Sequence, residues 1–123
     1  MFGRIIEILK KSPIVADYEI NQLVEERSAS FLRVEVTLLD GSRLFIKELL
    51  FPDGSKYSYH WQSADGRLLI RWDNAPHHPE IPTHPDHKHV GEEVISSNRI
   101  SVEDVLSAIT AQIETRFNKN TKT

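Results

Sequence analysis

Cysteine is absent from the 123 residues. Its absence excludes disulfides, thiolate zinc sites and cysteine nucleophiles together, and it fits a reducing, cytoplasmic setting. No apolar run approaches the ~20 residues that a bilayer crossing needs, so no membrane partner is expected. The opening stretch Met1 to Lys11 carries Arg4, Glu7, Lys10 and Lys11 among its apolar positions, unlike the uninterrupted core of a signal peptide. Neither charge sign dominates: 15 Lys and Arg stand against 18 Asp and Glu, for a net −3 with histidine neutral. Nucleic-acid contact therefore needs a local basic patch rather than a global field. There is no internal repeat, no His-Glu-x-x-His pair and no EF-hand loop.

What remains is the composition of one globular domain, 39% hydrophobic and 27% charged. Phe2 to Lys11 has its apolar residues at 2, 5, 6, 8 and 9, which predicts a short amphipathic helix ended at Ser12-Pro13. Val15 to Arg27 fits a helix and an edge strand about equally. The pattern then alternates. Leu32, Val34, Val36 and Leu38 share one face of a strand over 31–39. Three further strands follow at 43–51, 56–63 and 67–74, separated by Asp40-Gly41, Asp53-Gly54 and Asp65-Gly66 turn signals. Glu93 to Ser96 reads as a further short strand. Ser101, with Asp104 three residues on, starts a helix whose stripe is Val102, Val105, Leu106, Ile109, Ile113 and Phe117. The predicted fold is α+β: a four-stranded antiparallel meander, with five or six strands as the alternative, between an N-terminal helix and a C-terminal amphipathic helix. The domain spans 1–117 and leaves a disordered polar tail at 118–123.

Trp72 to His89 holds five of the six histidines and four of the six prolines. Pro76, Pro79, Pro82 and Pro85 recur every third residue, favouring a stiff extended loop. That loop leaves the fourth strand beside a set of polar side chains. A two-residue Asp65-Gly66 turn places His60 opposite Arg71 and Ser58 opposite Asp73, with Gln62 and Arg67 on the same polar face. Trp61, Tyr59 and Tyr57 then share the other face with Leu68, Ile70 and Trp72.

Two chemistries follow. Histidine exchanges protons near neutral pH, and Arg71 and Lys88 can hold a phosphate and its developing charge. Tyr57, Tyr59 and Trp72 would stack bases if exposed, although alternation also makes them core. Against this, a solvated polar face is the plainer reading of His60 and Arg71 alone. The second chemistry is a divalent transition metal such as zinc, held by His77, His78, His84, His87 and His89. A third reading is a non-enzymatic interaction module whose loop docks a partner.

The string Tyr57-Ser-Tyr-His-Trp-Gln62, then Arg71-Trp-Asp-Asn-Ala-Pro-His-His78, then His84-Pro-Asp-His-Lys-His-Val-Gly91 resembles the TumE family of toxins from toxin–antitoxin systems. The motifs cover about a quarter of the chain and the element order nearly all of it. The resemblance implies a prokaryotic cytoplasmic toxin with a cognate antitoxin, typically a helix-turn-helix protein. By fold analogy it also suggests a metal-independent ribonuclease with no cofactor. On this sequence the motif positions are His60, Arg71, Asp73, Asn74, His77, His78, His87, Lys88 and His89. The expected roles are catalytic for His60, Arg71, Asp73, His78, His87 and Lys88, with Tyr57, Tyr59, Trp72, Asn74, His77 and His89 contacting RNA. A homodimer is a further expectation that no single residue carries.

Overall fold

The computed structural model describes residues 2–121, with side chains as far as Arg116. The expected tail at 118–123, and Phe117 at the end of the apolar stripe, lie outside the residues whose side chains are described. The elements are α1 (Gly3–Lys11), β1 (Val15–Glu25), β2 (Ser30–Leu38), β3 (Arg43–Phe51), β4 (Gly54–Gln62), β5 (Leu68–Asp73), β6 (His87–Val90), β7 (Glu93–Ser96) and α2 (Val102–Thr121). The strands form one antiparallel sheet in the order β1 to β7.

The class is the expected α+β, but the sheet has seven strands rather than four to six. The ambiguous segment at 15–27 is a strand, β1, rather than a helix. Two register shifts, between Val15 and Asp17 and between Ile20 and Gln22, break its alternation along β2, which is why its pattern read equally as helix. The unexpected strand is β6, which lies inside the stretch read as an irregular loop. Its four residues pair with β5, Asp73 opposite His87 and Arg71 opposite His89. A four-residue strand made of His, Lys and Val carries too little alternation to register.

Alternation sorts the sheet into two faces. Leu32, Val34, Val36, Leu38, Leu44, Ile46, Tyr57, Tyr59, Trp61, Ile70 and Trp72 are buried on one face. Phe2 and Leu9, from the α1 end, and Val102, Val105, Leu106 and Ile109 of α2 join them in one core. Each such large side chain contributes about 1.5–3 kcal/mol by leaving water. The aromatic polar atoms find partners: Trp61 Nε1 donates to Ser42 Oγ at 3.0 Å and the Tyr59 hydroxyl to Glu48 Oε2 at 3.0 Å. Burial raises the Glu48 carboxyl above its ordinary value, and the Tyr59 bond opposes it.

Turn chemistry sets the register. Gly41 and Gly66 take φ of 85° and 89°, a region that L side chains avoid. Between β3 and β4 the turn is Pro52-Asp53 instead, because Gly54 already pairs with Phe51. The β4–β5 ladder has His60 opposite Arg71 and Ser58 opposite Asp73, as the hairpin argument predicts. A bulge follows between Trp61 and Gln62, so Gln62 pairs with Leu68. It turns Leu69, not Leu68, onto the core. At α2, Ser101 N and Oγ both donate to Asp104 Oδ2, at 3.2 and 2.9 Å, and Asp104 N returns a bond to Ser101 Oγ at 3.3 Å. This is the reciprocal cap that Ser101 and Asp104 predicted.

Candidate functional site

The helices cover one face of the sheet, and the other face is polar. Its centre is a cross-strand row. Arg71 on β5 stands between His60 on β4 and His89 on β6. The next row holds Lys47, Ser58, Asp73 and His87. Strands lie about 4.8 Å apart, so the two histidines of the first row start from backbones roughly 10 Å apart, with the guanidinium between them.

Asp73 organises the β5–β6 end. It is only 5% exposed. Its carboxylate accepts from Ala75 N at 2.9 Å and from Arg71 Nε at 3.1 Å. His87 Nε2 lies 3.1 Å from Asp73 Oδ1, and His89 Nε2 lies 3.5 Å from Asp73 Oδ2. The two imidazole Nε2 atoms are 3.1 Å apart. His87 is 2% exposed and donates from Nδ1 to the Pro85 carbonyl at 2.9 Å. The loop returns His78 to this cluster, its ring 5.0 Å from that of His87 and 5.7 Å from that of His89. Burial lowers the proton affinity of His89, and the Asp73 carboxylate opposes that shift.

At the β4 end, Arg71 Nη1 approaches His60 Nδ1 to 3.5 Å, and His60 Nε2 lies 3.1 Å from Gln62 Oε1. The geometry fits one tautomer, with Nδ1 accepting from Arg71 and Nε2–H donating to Gln62. His60 is held below its ordinary pKa, first by burial and then by the Arg71 charge, against a raising bond to Gln62. A cleft of about 700 Å³ opens over this end, lined by Arg33, Glu35, Phe45, Lys47, Ser58, His60, Gln62 and Arg71 among others. It adjoins a second cleft of about 280 Å³ that shares Lys47, Ser58 and Arg71 and adds Lys56, Asp73 and Asn74. Glu35 is paired with Arg43 and Asp73 with Arg71. The clefts therefore carry more cation than the chain average, which supplies the local patch that the net charge does not.

Several expected positions lie elsewhere. Tyr57, Tyr59 and Trp72 are 5%, 2% and 3% exposed in the core, so their ring faces meet protein and offer no base-stacking platform. Lys88 pairs with Trp72 and so projects on the helix side of the sheet, away from the histidines. His77 and His84 are exposed and stand outside the cluster: among the described histidines, His78, His87 and His89 bring ligand atoms together, within 4.8 Å. Asn74 acts as a brace, accepting from Tyr57 N at 3.0 Å and donating to the Ser55 carbonyl at 2.9 Å. The loop is braced too: the Tyr57 hydroxyl donates to Asp86 Oδ1 at 2.7 Å, and Thr83 Oγ1 donates to the Asp86 carbonyl at 2.6 Å.

Sequence reasoning passed over Lys47, Lys56 and Gln62 as site residues. Alternation on β3 carried the signal for Lys47, because Leu44 and Ile46 point inward and so put Phe45 and Lys47 outward. Among the described residues, no helix is long and apolar enough to cross a membrane. No curated protein and no solved structure matches the chain. A family model described as Toxin TumE matches residues 5–117.

Proposed function

This chain belongs to the TumE toxin family, and we propose that it is a cytoplasmic ribonuclease that cleaves RNA without a metal on the open face of its sheet. Family membership makes it the toxin component of a toxin–antitoxin system with an antitoxin as partner. A helix-turn-helix antitoxin belongs to the same proposal. The observation that carries the reading is the row His60, Arg71, His89 on three neighbouring strands of one face.

A phosphodiester held on Arg71 has an imidazole on each side. In-line transesterification needs that arrangement, with a base at the attacking 2′-oxygen and an acid at the departing 5′-oxygen. His60 takes the 2′-hydroxyl proton. Its Nδ1 lone pair already points toward Arg71, and its lowered pKa keeps the ring neutral near pH 7. The 2′-oxygen forms a bond to phosphorus and the bond from phosphorus to the 5′-oxygen breaks. His89 enters protonated: burial disfavours its charge, and the Asp73 carboxylate favours it. It gives its proton to that oxygen, leaving a 2′,3′-cyclic phosphate and a 5′-hydroxyl. Arg71 stabilises the added negative charge of the phosphorane.

Asp73 and the buried His87 hold His89 in place rather than touching substrate. His78 closes the loop side of the site. Lys47, Lys56 and Arg33 hold flanking phosphates along the clefts. The test is cleavage of single-stranded RNA in EDTA by the wild type and by His60→Ala, His89→Ala and Arg71→Ala. Losses of about 10²-fold or more in each variant are expected. Undiminished cleavage by His60→Ala and His89→Ala ends the assignment.

A further inference from the structure

His87 poses a specific problem of hydrogen-bond polarity. Its Nδ1–H is committed to the Pro85 carbonyl at 2.9 Å. In the neutral ring, Nε2 is then a lone pair. That lone pair faces a carboxylate oxygen, Asp73 Oδ1, at 3.1 Å and a second imidazole nitrogen, His89 Nε2, at 3.1 Å. A neutral His89 with its hydrogen on Nε2 can donate to that lone pair. The lone pair still faces the Asp73 carboxylate, so two electron-rich atoms meet in a site where His87 and Asp73 are almost fully buried. Something cationic between them removes the repulsion. One proton satisfies one of these lines at a time, whereas a metal ion satisfies all of them together.

The spacing favours the ion. A tetrahedral centre with metal–nitrogen and metal–oxygen bonds of about 2.0–2.1 Å has ligand-to-ligand edges of about 3.3 Å. Two observed edges meet at His87 Nε2, 3.1 Å to Asp73 Oδ1 and 3.1 Å to His89 Nε2, and the second carboxylate oxygen, Asp73 Oδ2, lies 3.5 Å from His89 Nε2. His78 brings a fourth ligand atom, within 4.8 Å of those of His87 and His89. It sits on the loop and is partly exposed, so a small movement closes the shell. The surroundings fit as well. A ligating imidazole fixed through its other nitrogen by a backbone carbonyl is the usual support of a metal ligand, and the Pro85 carbonyl supplies it. Ala75 N and Arg71 Nε fix the carboxylate while leaving each oxygen a further lone pair. Three imidazoles and one carboxylate suit a borderline divalent transition ion rather than magnesium or calcium.

We propose that His78, His87, His89 and Asp73 form a zinc-binding centre, and that an ion bound there switches off the ribonuclease site by taking the His89 lone pair. The regulatory half rests on the metal-free cleavage proposed above. The binding half does not. A ligated His89 Nε2 has no proton to give to the leaving 5′-oxygen, so the loaded form keeps its RNA cleft and loses its acid. The toxin is then active where free zinc is scarce and silent where it is plentiful.

The experiment uses the full chain, purified without a histidine tag and stripped with a chelator. Zinc is titrated by calorimetry, and cobalt(II) is used as a spectroscopic probe of coordination number. One ion per chain with the strong visible absorption of tetrahedral cobalt is expected. His89→Gln and His78→Ala should each weaken zinc binding by at least about tenfold, while the double variant His77→Ala, His84→Ala should bind as the wild type does. Both single variants alter partly exposed rings, so the result does not depend on Asp73→Asn folding. Absence of a stoichiometric ion, or binding that survives His89→Gln and fails in the His77, His84 double variant, overturns the site. RNA cleavage is then measured in EDTA and after adding one equivalent of zinc. Cleavage in EDTA that zinc suppresses supports the switch, and cleavage indifferent to a bound ion overturns it. Cleavage that requires the ion overturns both the switch and the metal-free reading while leaving the site standing. No cleavage under either condition removes the ribonuclease reading, and the calorimetry still decides the site.

Discussion

His60 and Arg71 stand directly opposite each other in the β4–β5 ladder, with His60 Nδ1 and Arg71 Nη1 3.5 Å apart. Burial and the Arg71 charge lower the His60 pKa, and Gln62 raises it. Other charges reach the same cleft: Arg33 and Glu35 from β2, Lys47 from β3, and Arg43 paired to Glu35. As a base, His60 works when neutral, so the metal-free cleavage rate falls as pH drops through its pKa. Arg71→Gln removes one of the two lowering influences, and the acidic limb should move to higher pH. The same variant loses about 10²-fold or more in kcat through lost charge stabilisation. A pH–rate profile in EDTA, with the His60 titration followed by NMR, checks both. A limb that does not move, or that moves to lower pH, breaks the link between the two residues.

Asp73→Asn keeps the shape of the side chain and removes the charge that Arg71, His87 and His89 surround. Asp73 and His87 are buried, so solvent screens little of their interaction, while Arg71 and His89 keep part of their water. A destabilisation of about 2–3 kcal/mol is expected, read as a lower urea midpoint with unchanged slope. A variant as stable as the wild type would mean that the carboxylate contributes nothing to holding β5 against β6.

The contrast between His60 and His87 separates what the sequence carried from what it concealed. His60 and Arg71 were found opposite each other because the turn and the alternation between Tyr59 and Trp61 determine the pairing by local rules. The sequence offers His87 and His89 as motif positions and as metal ligands by spacing, but not the strand that pairs them with Asp73 and Arg71. Their strand is four residues long, lies beyond a 13-residue connection, 74–86, and exists because β5 offers an open edge. No local pattern reports such a tertiary pairing. The same gap misplaced Lys88, since its face follows only from the register with Trp72. Tyr57, Tyr59 and Trp72 were readable as core from alternation, and the base-stacking expectation set that aside. The bulge that turns Leu69 inward has no sequence signal.

Tyr57→Phe tests whether the buried tyrosines brace the site rather than bind RNA. The ring stays packed, and the variant loses the 2.7 Å bond from its hydroxyl to Asp86 Oδ1. A cost of about 1–2 kcal/mol follows from losing a hydrogen bond to a charged group at a partly buried site. Amides of the 83–89 segment should exchange faster, while RNA affinity changes less than twofold. A large loss of affinity with unchanged exchange would return Tyr57 to the RNA interface.

Lys47 and Lys88 provide the last comparison, because one lysine lies on each face of the sheet. Lys47 lines both clefts beside Ser58 and Arg71, whereas Lys88 pairs with Trp72 on the helix side. A lysine that neutralises one phosphate of single-stranded RNA releases a counterion, and its removal lowers the slope of log affinity against log salt by about 0.7. Lys47→Ala should therefore weaken RNA binding uniformly across sequences and flatten the salt dependence by about that amount. Lys88→Ala should leave both the slope and the cleavage rate within about twofold of the wild type, because its charge has no path to a strand lying across Arg71. Fluorescence anisotropy with a short unstructured RNA at several salt concentrations reads both variants in one series. If Lys88→Ala changes the slope and Lys47→Ala does not, RNA crosses the helix side of the sheet, and the His60, Arg71, His89 row is not where the backbone is cut.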